Sequence, residues 1–125
     1  MTVTRKIVVI DDDEDLLQAV CDVLGDVGHQ TVPFSGAEEA LASLDRDNPP
    51  DLILLDLMMP GMSGWDFREA QRSQPGLSSI PVVVMTASRN LSDNPIDANE
   101  VLLKPLNLDR LLCAISRHGG GAVSG

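Results

Sequence analysis

Three stretches of this chain, "KIVVI" (6–10), "DLILLD" (51–56) and "IPVVVMT" (80–86), are almost continuously apolar and only as long as a strand. A strand with one wet face alternates apolar and polar residues. One buried on both faces does not, so these runs predict strands of a parallel sheet that is covered on both sides. "QTVPF" (30–34) and "EVLL" (100–103) complete a set of five.

Each interval between runs leaves room for one helix. Leu16, Leu17, Val20, Leu24 and Val27 follow helical spacing, with Gly28 placed as a C-terminal stop. Ala37, Ala40, Leu41 and Leu44 do the same behind the capping-box pattern Ser35…Glu38. A third helix is expected from Trp65 and Phe67 to Gln74, stopped by Pro75. A last one carries Leu108, Leu111, Leu112 and Ile115 behind the capping residue Asn107. The alternation predicts a three-layer α/β domain with a central parallel sheet and right-handed crossovers. At 125 residues the chain is the size of one domain. Residues 1–118 are read as that domain and 119–125 as a flexible glycine-rich tail. A methionine start and that tail suit a free-standing unit.

In such sheets ligands bind beyond the carboxyl ends of the strands. Asp11 and Asp12 follow the first strand, Asp56 ends the third, Thr86 ends the fourth and Lys104 follows the fifth. Each has a bland reading alone: a solvated helix start where Asp13, Glu14 and Asp15 favour the helix dipole, a turn aspartate, a strand hydroxyl, a surface lysine. Together they bring three carboxylates to one rim. Clustered carboxylates need a cation, and an all-oxygen set suits a hard ion such as Mg²⁺ or Mn²⁺.

The chain carries a formal net charge of −10 at pH 7. A phosphate backbone or an anionic membrane surface would repel it, so neither direct nucleic-acid contact nor membrane binding is expected. No apolar run approaches the roughly 20 residues of a membrane span, and "MTVTRK" lacks the apolar segment of a signal peptide; a cytoplasmic protein is expected. Cys21 and Cys113 form neither a metal spacing nor a disulfide framework. They read as small helix residues in a reducing compartment. His29 and His118 have no companion ligand nearby and read as surface residues.

With these positions in place, the sequence resembles the response-regulator receiver family, the CheY-like phosphoacceptor domain of two-component signalling. "VVIDDDEDL", "LILLDLMMPGMSGWDF", "PVVVMTAS" and "LLKPL" carry the resemblance, in order and at the expected strand ends, over about residues 5 to 117. It implies a flavodoxin-like (βα)5 fold with strand order 2-1-3-4-5. It also implies that a histidine kinase or phosphotransfer protein donates a phosphoryl group to Asp56, and that a downstream partner protein reads the result. Asp11 and Asp12 would hold Mg²⁺ (or Mn²⁺) beside Asp56, with the main-chain carbonyl of Met58 completing the protein ligands. Lys104 would pair with Asp56 and then with the phosphoryl oxygens, Thr86 would donate its hydroxyl to one of them, and Pro105 would follow a cis bond. The chemistry would be self-catalysed phosphorylation and dephosphorylation, not turnover of a separate substrate. Asp56 is expected to be ionised at neutral pH, kept so by the ion and Lys104.

Two features depart from the family. Val101 stands where an aromatic switch residue is common, three before Lys104. The interval from Thr86 to Lys104 is short by roughly one helical turn. Its content, "SRNLSDNPIDANE", is poor in helix formers and holds Pro95. A short, displaced or disordered fourth helix is expected, with output through ordering of the 87–99 loop. Competing readings are a docking module that never accepts phosphate and a haloacid-dehalogenase-like phosphatase with Asp11 as nucleophile and Asp13 as acid. An EF-hand fails because Leu16 stands where its loop needs glycine.

Overall fold

The computed structural model describes residues 4–87 and 95–119. In chain order come β1 (Lys6–Ile10), α1 (Glu14–Asp26), β2 (Gln30–Phe34), α2 (Ala37–Ser43), β3 (Leu52–Asp56), α3 (Gly64–Arg72), β4 (Val82–Thr86), β5 (Glu100–Leu103) and α4 (Leu108–His118). The strands form one sheet in the order β2-β1-β3-β4-β5, with every adjacent pair parallel. This is the three-layer, flavodoxin-like α/β architecture expected from the sequence.

The apolar runs became interior strands for the reason their pattern gives. Every residue of β3 and β4 is buried, as is all of β1 except Lys6. The edge strands β2 and β5 are partly exposed, and the edge position tolerates Pro33, which cannot donate to a ladder. On one face, Leu17, Val20 and Leu24 of α1 and Leu111, Ala114 and Ile115 of α4 pack on Ile7, Val9, Leu54 and Met85. On the other, Ala37 and Ala40 of α2 and Phe67 of α3 pack on Val8, Ile10, Ile53 and Val84. Each fully buried aliphatic side chain contributes about 1.5–3 kcal/mol. A one-residue slip would send each strand's inward set to the other face, so the register is strongly fixed. That register brings the carboxyl ends of β1, β3, β4 and β5 to one rim.

Helix boundaries differ from the sequence reading in two places. The cap of α2 is Gly36, not Ser35, and no side chain caps it. Docking of Ala37 and Ala40 on the sheet sets where this short helix begins, and that outweighs a cap of about 1 kcal/mol. Helix α3 starts at Gly64 and ends at Arg72, where Gln74 had been expected. Its start is a capping box in which Ser63 Oγ accepts from Asp66 N at 3.2 Å and Asp66 Oδ2 accepts from Ser63 N at 3.4 Å. Asn107 caps α4 as expected, and Gly28, with φ of 95°, takes the left-handed position after α1.

The expected fourth helix falls largely on residues 88–94, which lie outside the described residues, as do 120–125 of the expected tail and most of the proposed ordering loop. Residues 95–99 are described and are not helical. Instead α3 holds them: Arg68 Nε donates to Asp97 O at 2.6 Å, and Arg72 pairs with the Asp97 carboxylate at 3.0 Å. Gln71, fully buried, accepts from Arg68 and donates to Leu77 O and Ile80 O. Asn99 exchanges two hydrogen bonds with the backbone of Val82, and Ile96 and Ala98 pack on the α2–α3 face of the core. Among the described residues, no helix is long and apolar enough to cross a membrane.

Both cysteines are free. The histidines are half-buried rather than surface residues: His29 Nδ1 accepts from Arg5 N–H at 3.2 Å, and His118 Nε2 lies 2.9 Å from Glu100 Oε1. Burial first and the Arg5 charge second lower the pKa of His29.

Candidate functional site

Where β1 ends, Asp11 is fully buried and Asp12 is exposed. Asp11 Oδ1 accepts from the Asp13 N–H at 2.9 Å, and its Oδ2 accepts from Lys104 Nζ at 2.8 Å. Asp13 itself caps α1 through Leu16 N, so its carboxylate is engaged at the helix start and not turned to chemistry. Asp56, the last residue of β3, is 3% exposed. Carboxylate oxygens of Asp11, Asp12 and Asp56 lie within 4.8 Å of one another.

The fifth strand delivers the counter-charge. Lys104 N donates to Thr86 O at 2.8 Å, which extends the β4–β5 ladder one step and turns the ammonium inward. The bond from Lys104 to Pro105 is cis, as the resemblance implies. Lys104 Nζ stands closer to Asp11, at 2.8 Å, than to Asp56 Oδ1, at 3.5 Å. Burial pulls the lysine's pKa down, but the hydrogen bond to Asp11 and the charges of Asp56 and Asp11 more than offset it, and the net shift is upward. Thr86 is fully buried at the end of β4, and Met58, two residues past Asp56, has a largely exposed side chain.

Lys104 pulls the Asp56 pKa down, as expected from the sequence, but burial, and then the Asp11 charge, outweigh that pull and raise it from 3.8 to about 6. One ammonium shared by two buried carboxylates, with a third at the rim, leaves a net negative site whose donors are all hard oxygens. That is the chemistry of a small divalent cation site, and Asp11, Asp12 and Asp56 are the side chains able to hold the ion.

The sequence matches the family described as the response regulator receiver domain over residues 7–116. It is 32% identical over 118 residues to the DNA-binding response regulator MtrA of Mycolicibacterium smegmatis, covering 91% of this chain and 50% of that protein. It is 31% identical over 122 residues to the sensory transduction protein RegX3 of Mycobacterium bovis, covering 92% of this chain and 52% of that protein. The chain thus spans about half the length of these relatives. Among solved structures, the chemotaxis protein CheY4 of Vibrio cholerae superposes with a TM-score of 0.83 at 28% identity, over 93% of this chain and 99% of that one. The response regulator TrrA of Thermotoga maritima, solved in complex with Mg²⁺ and BeF, gives a TM-score of 0.80 at 24% identity, over 90% and 97%.

Proposed function

The chain belongs to the response-regulator receiver domain family, and from that premise we propose that Asp56 is its phosphoacceptor, taking a phosphoryl group from a histidine kinase or phosphotransfer protein with the help of Mg²⁺. The observation that carries this reading is the buried Asp56 carboxylate, gathered with those of Asp11 and Asp12 and 3.5 Å from the Lys104 ammonium.

Asp11, Asp12 and Asp56 would hold the ion, with the Met58 carbonyl as a further ligand, and the ion would supply positive charge to the transferred group. The reacting oxygen of Asp56 bonds to phosphorus as the phosphorus–nitrogen bond of a phosphohistidine breaks and the imidazole leaves. No general base is required. Even with its pKa raised to about 6, Asp56 is mainly the carboxylate at neutral pH. Phosphoryl transfer asks chiefly for positioning and for positive charge on the equatorial oxygens. Lys104 can provide that charge by moving its contact from Asp11 toward the phosphoryl group, and Thr86 can offer its hydroxyl. The exposed Val101, with one stiff torsion and no polar tip, cannot act as a hydroxyl-bearing switch. Output would then lie in the β4–β5 connection, which α3 grips through Asp97.

A cytoplasmic location and a downstream protein partner belong to the same proposal. Any DNA contact would belong to parts of the longer relatives outside the matched half, because this chain's charge of −10 opposes it. The test is Trp65 fluorescence during addition of Mg²⁺ and beryllofluoride, since Trp65 sits in the first turn of α3 just beyond the Asp56 loop. A saturable change in the wild type that is lost in Asp56→Asn supports the reading; the same change in both proteins contradicts it.

A further inference from the structure

Gly64, the first residue of α3, lies directly behind the proposed nucleophile. Its N–H donates to Leu57 O at 2.9 Å, and the residue is buried. A Cβ at this position would stand 2.6 Å from Asp56 O, 2.7 Å from Leu57 Cα and 2.8 Å from Leu57 Cδ2. The first two are backbone atoms of the peptide that carries Asp56, so they cannot rotate away as a side-chain tip could. Ordinary contact begins at 3.4 Å, so relief requires a separation of roughly 0.7–0.8 Å, the difference between 3.4 and 2.7 or 2.6 Å.

The helix cannot supply that movement freely. Its start is fixed by the Ser63–Asp66 capping box, and Phe67, fully buried, locks the first turn into the core. On the other side β3 is held between β1 and β4. What the added atom would press on between these two bodies is the Asp56–Leu57 peptide at the end of β3, which carries the carboxylate that faces Lys104 and Asp11.

We infer that Gly64 is a positioning residue for Asp56: its missing side chain lets the start of α3 bear on the Asp56–Leu57 peptide and fix where the carboxylate points. The inference rests on the reading of Asp56 as phosphoacceptor. It assigns to α3 a part in the chemistry, and not only in covering the sheet. Positioning errors near 1 Å cost on the order of a hundredfold in rate, whereas a loss of packing alone lowers the folded fraction and leaves the rate of each folded molecule unchanged.

The experiment compares Gly64→Ala with Phe67→Leu, which disturbs the same helix from its core side. Asp56 phosphorylation by acetyl phosphate is followed at saturating Mg²⁺, over a range of donor concentrations, and is expressed per folded molecule from circular dichroism. Gly64→Ala is expected to lower the maximal rate by about tenfold to a hundredfold, with the half-saturating donor concentration little changed, while Phe67→Leu stays within about twofold of wild type. A Gly64→Ala rate within about twofold of wild type overturns the inference, as does an equal loss in both variants. Should Gly64→Ala fail to fold, the double variant Ser63→Ala, Asp66→Ala loosens the helix start without adding an atom. A several-fold slower maximal rate then supports the inference and an unchanged one overturns it. A wild type that takes no phosphoryl group on Asp56 defeats the phosphoacceptor reading itself, a result distinct from a fast Gly64→Ala variant.

Discussion

Asp56→Asn removes a buried charge while keeping the shape of the side chain, and the metal-free domain should become more stable for it. Burial and the Asp11 charge raise the Asp56 pKa from 3.8 to about 6, so ionising it in the folded state costs about 3 kcal/mol more than in the unfolded chain. The sign follows from the direction of the shift. A raised folded-state pKa means that folding favours the protonated form, so this contribution is fully present below pH 3.8 and is lost as pH rises through about 6. Asparagine does not titrate. In urea unfolding with a chelator present, wild type and variant should be closest near pH 4 and separate as pH rises. By pH 7 the variant should be ahead by up to about 3 kcal/mol. Subtracting one protein from the other at each pH cancels the titration of the groups that do not interact with Asp56. Added Mg²⁺ should narrow or reverse the gap, because binding stabilises only the protein that keeps all three carboxylates. A gap that stays constant from pH 4 to 7, or a metal-free variant that is less stable at pH 7, would refute the electrostatic reasoning.

Asp12→Ala should weaken Mg²⁺ binding at least tenfold in a calorimetric titration, since even outer-sphere partners of a metal site are worth 10–100-fold; unchanged affinity would remove Asp12 from the site. Arg68→Ala should cost about 1–3 kcal/mol in urea unfolding, because it removes two charge-assisted hydrogen bonds from a half-buried guanidinium. It should also speed amide exchange at Asn99 more than in β1. Arg72→Ala removes only an exposed pair and should cost under about 1 kcal/mol.

What the sequence made legible follows from how local each cause is. Interior strands could be read because β3 and β4 need apolar side chains on both faces, whatever else surrounds them. The site could be read because, in a parallel sheet, the residues after strands share one rim. Asp11, Asp56, Thr86 and Lys104 therefore needed no distance information to be grouped. The start of α2 was misplaced because a local cap signal at Ser35 competes with the docking of Ala37 and Ala40, which only the folded sheet defines. The capping box of α3 was missed although Ser63 and Asp66 have the right spacing, because its third residue is aspartate and not the usual glutamate or glutamine. The grip of Arg68 on Asp97 spans 29 residues and carries no local pattern. The raised pKa of Asp56 likewise depends on burial and on the Asp11 charge beside it, and these exist only in three dimensions.

The central claim is that Asp56 accepts a phosphoryl group in an Mg²⁺-dependent reaction of the domain's own residues. Its most direct test is incubation with Mg²⁺ and acetyl phosphate, followed by intact-mass measurement and mapping of the modified peptide. The account predicts the mass of one phosphoryl group, located on Asp56, labile to base, absent with chelator and absent in Asp56→Asn. Modification at Asp11, or an unmodified protein under conditions where it is folded and binds Mg²⁺, would contradict it.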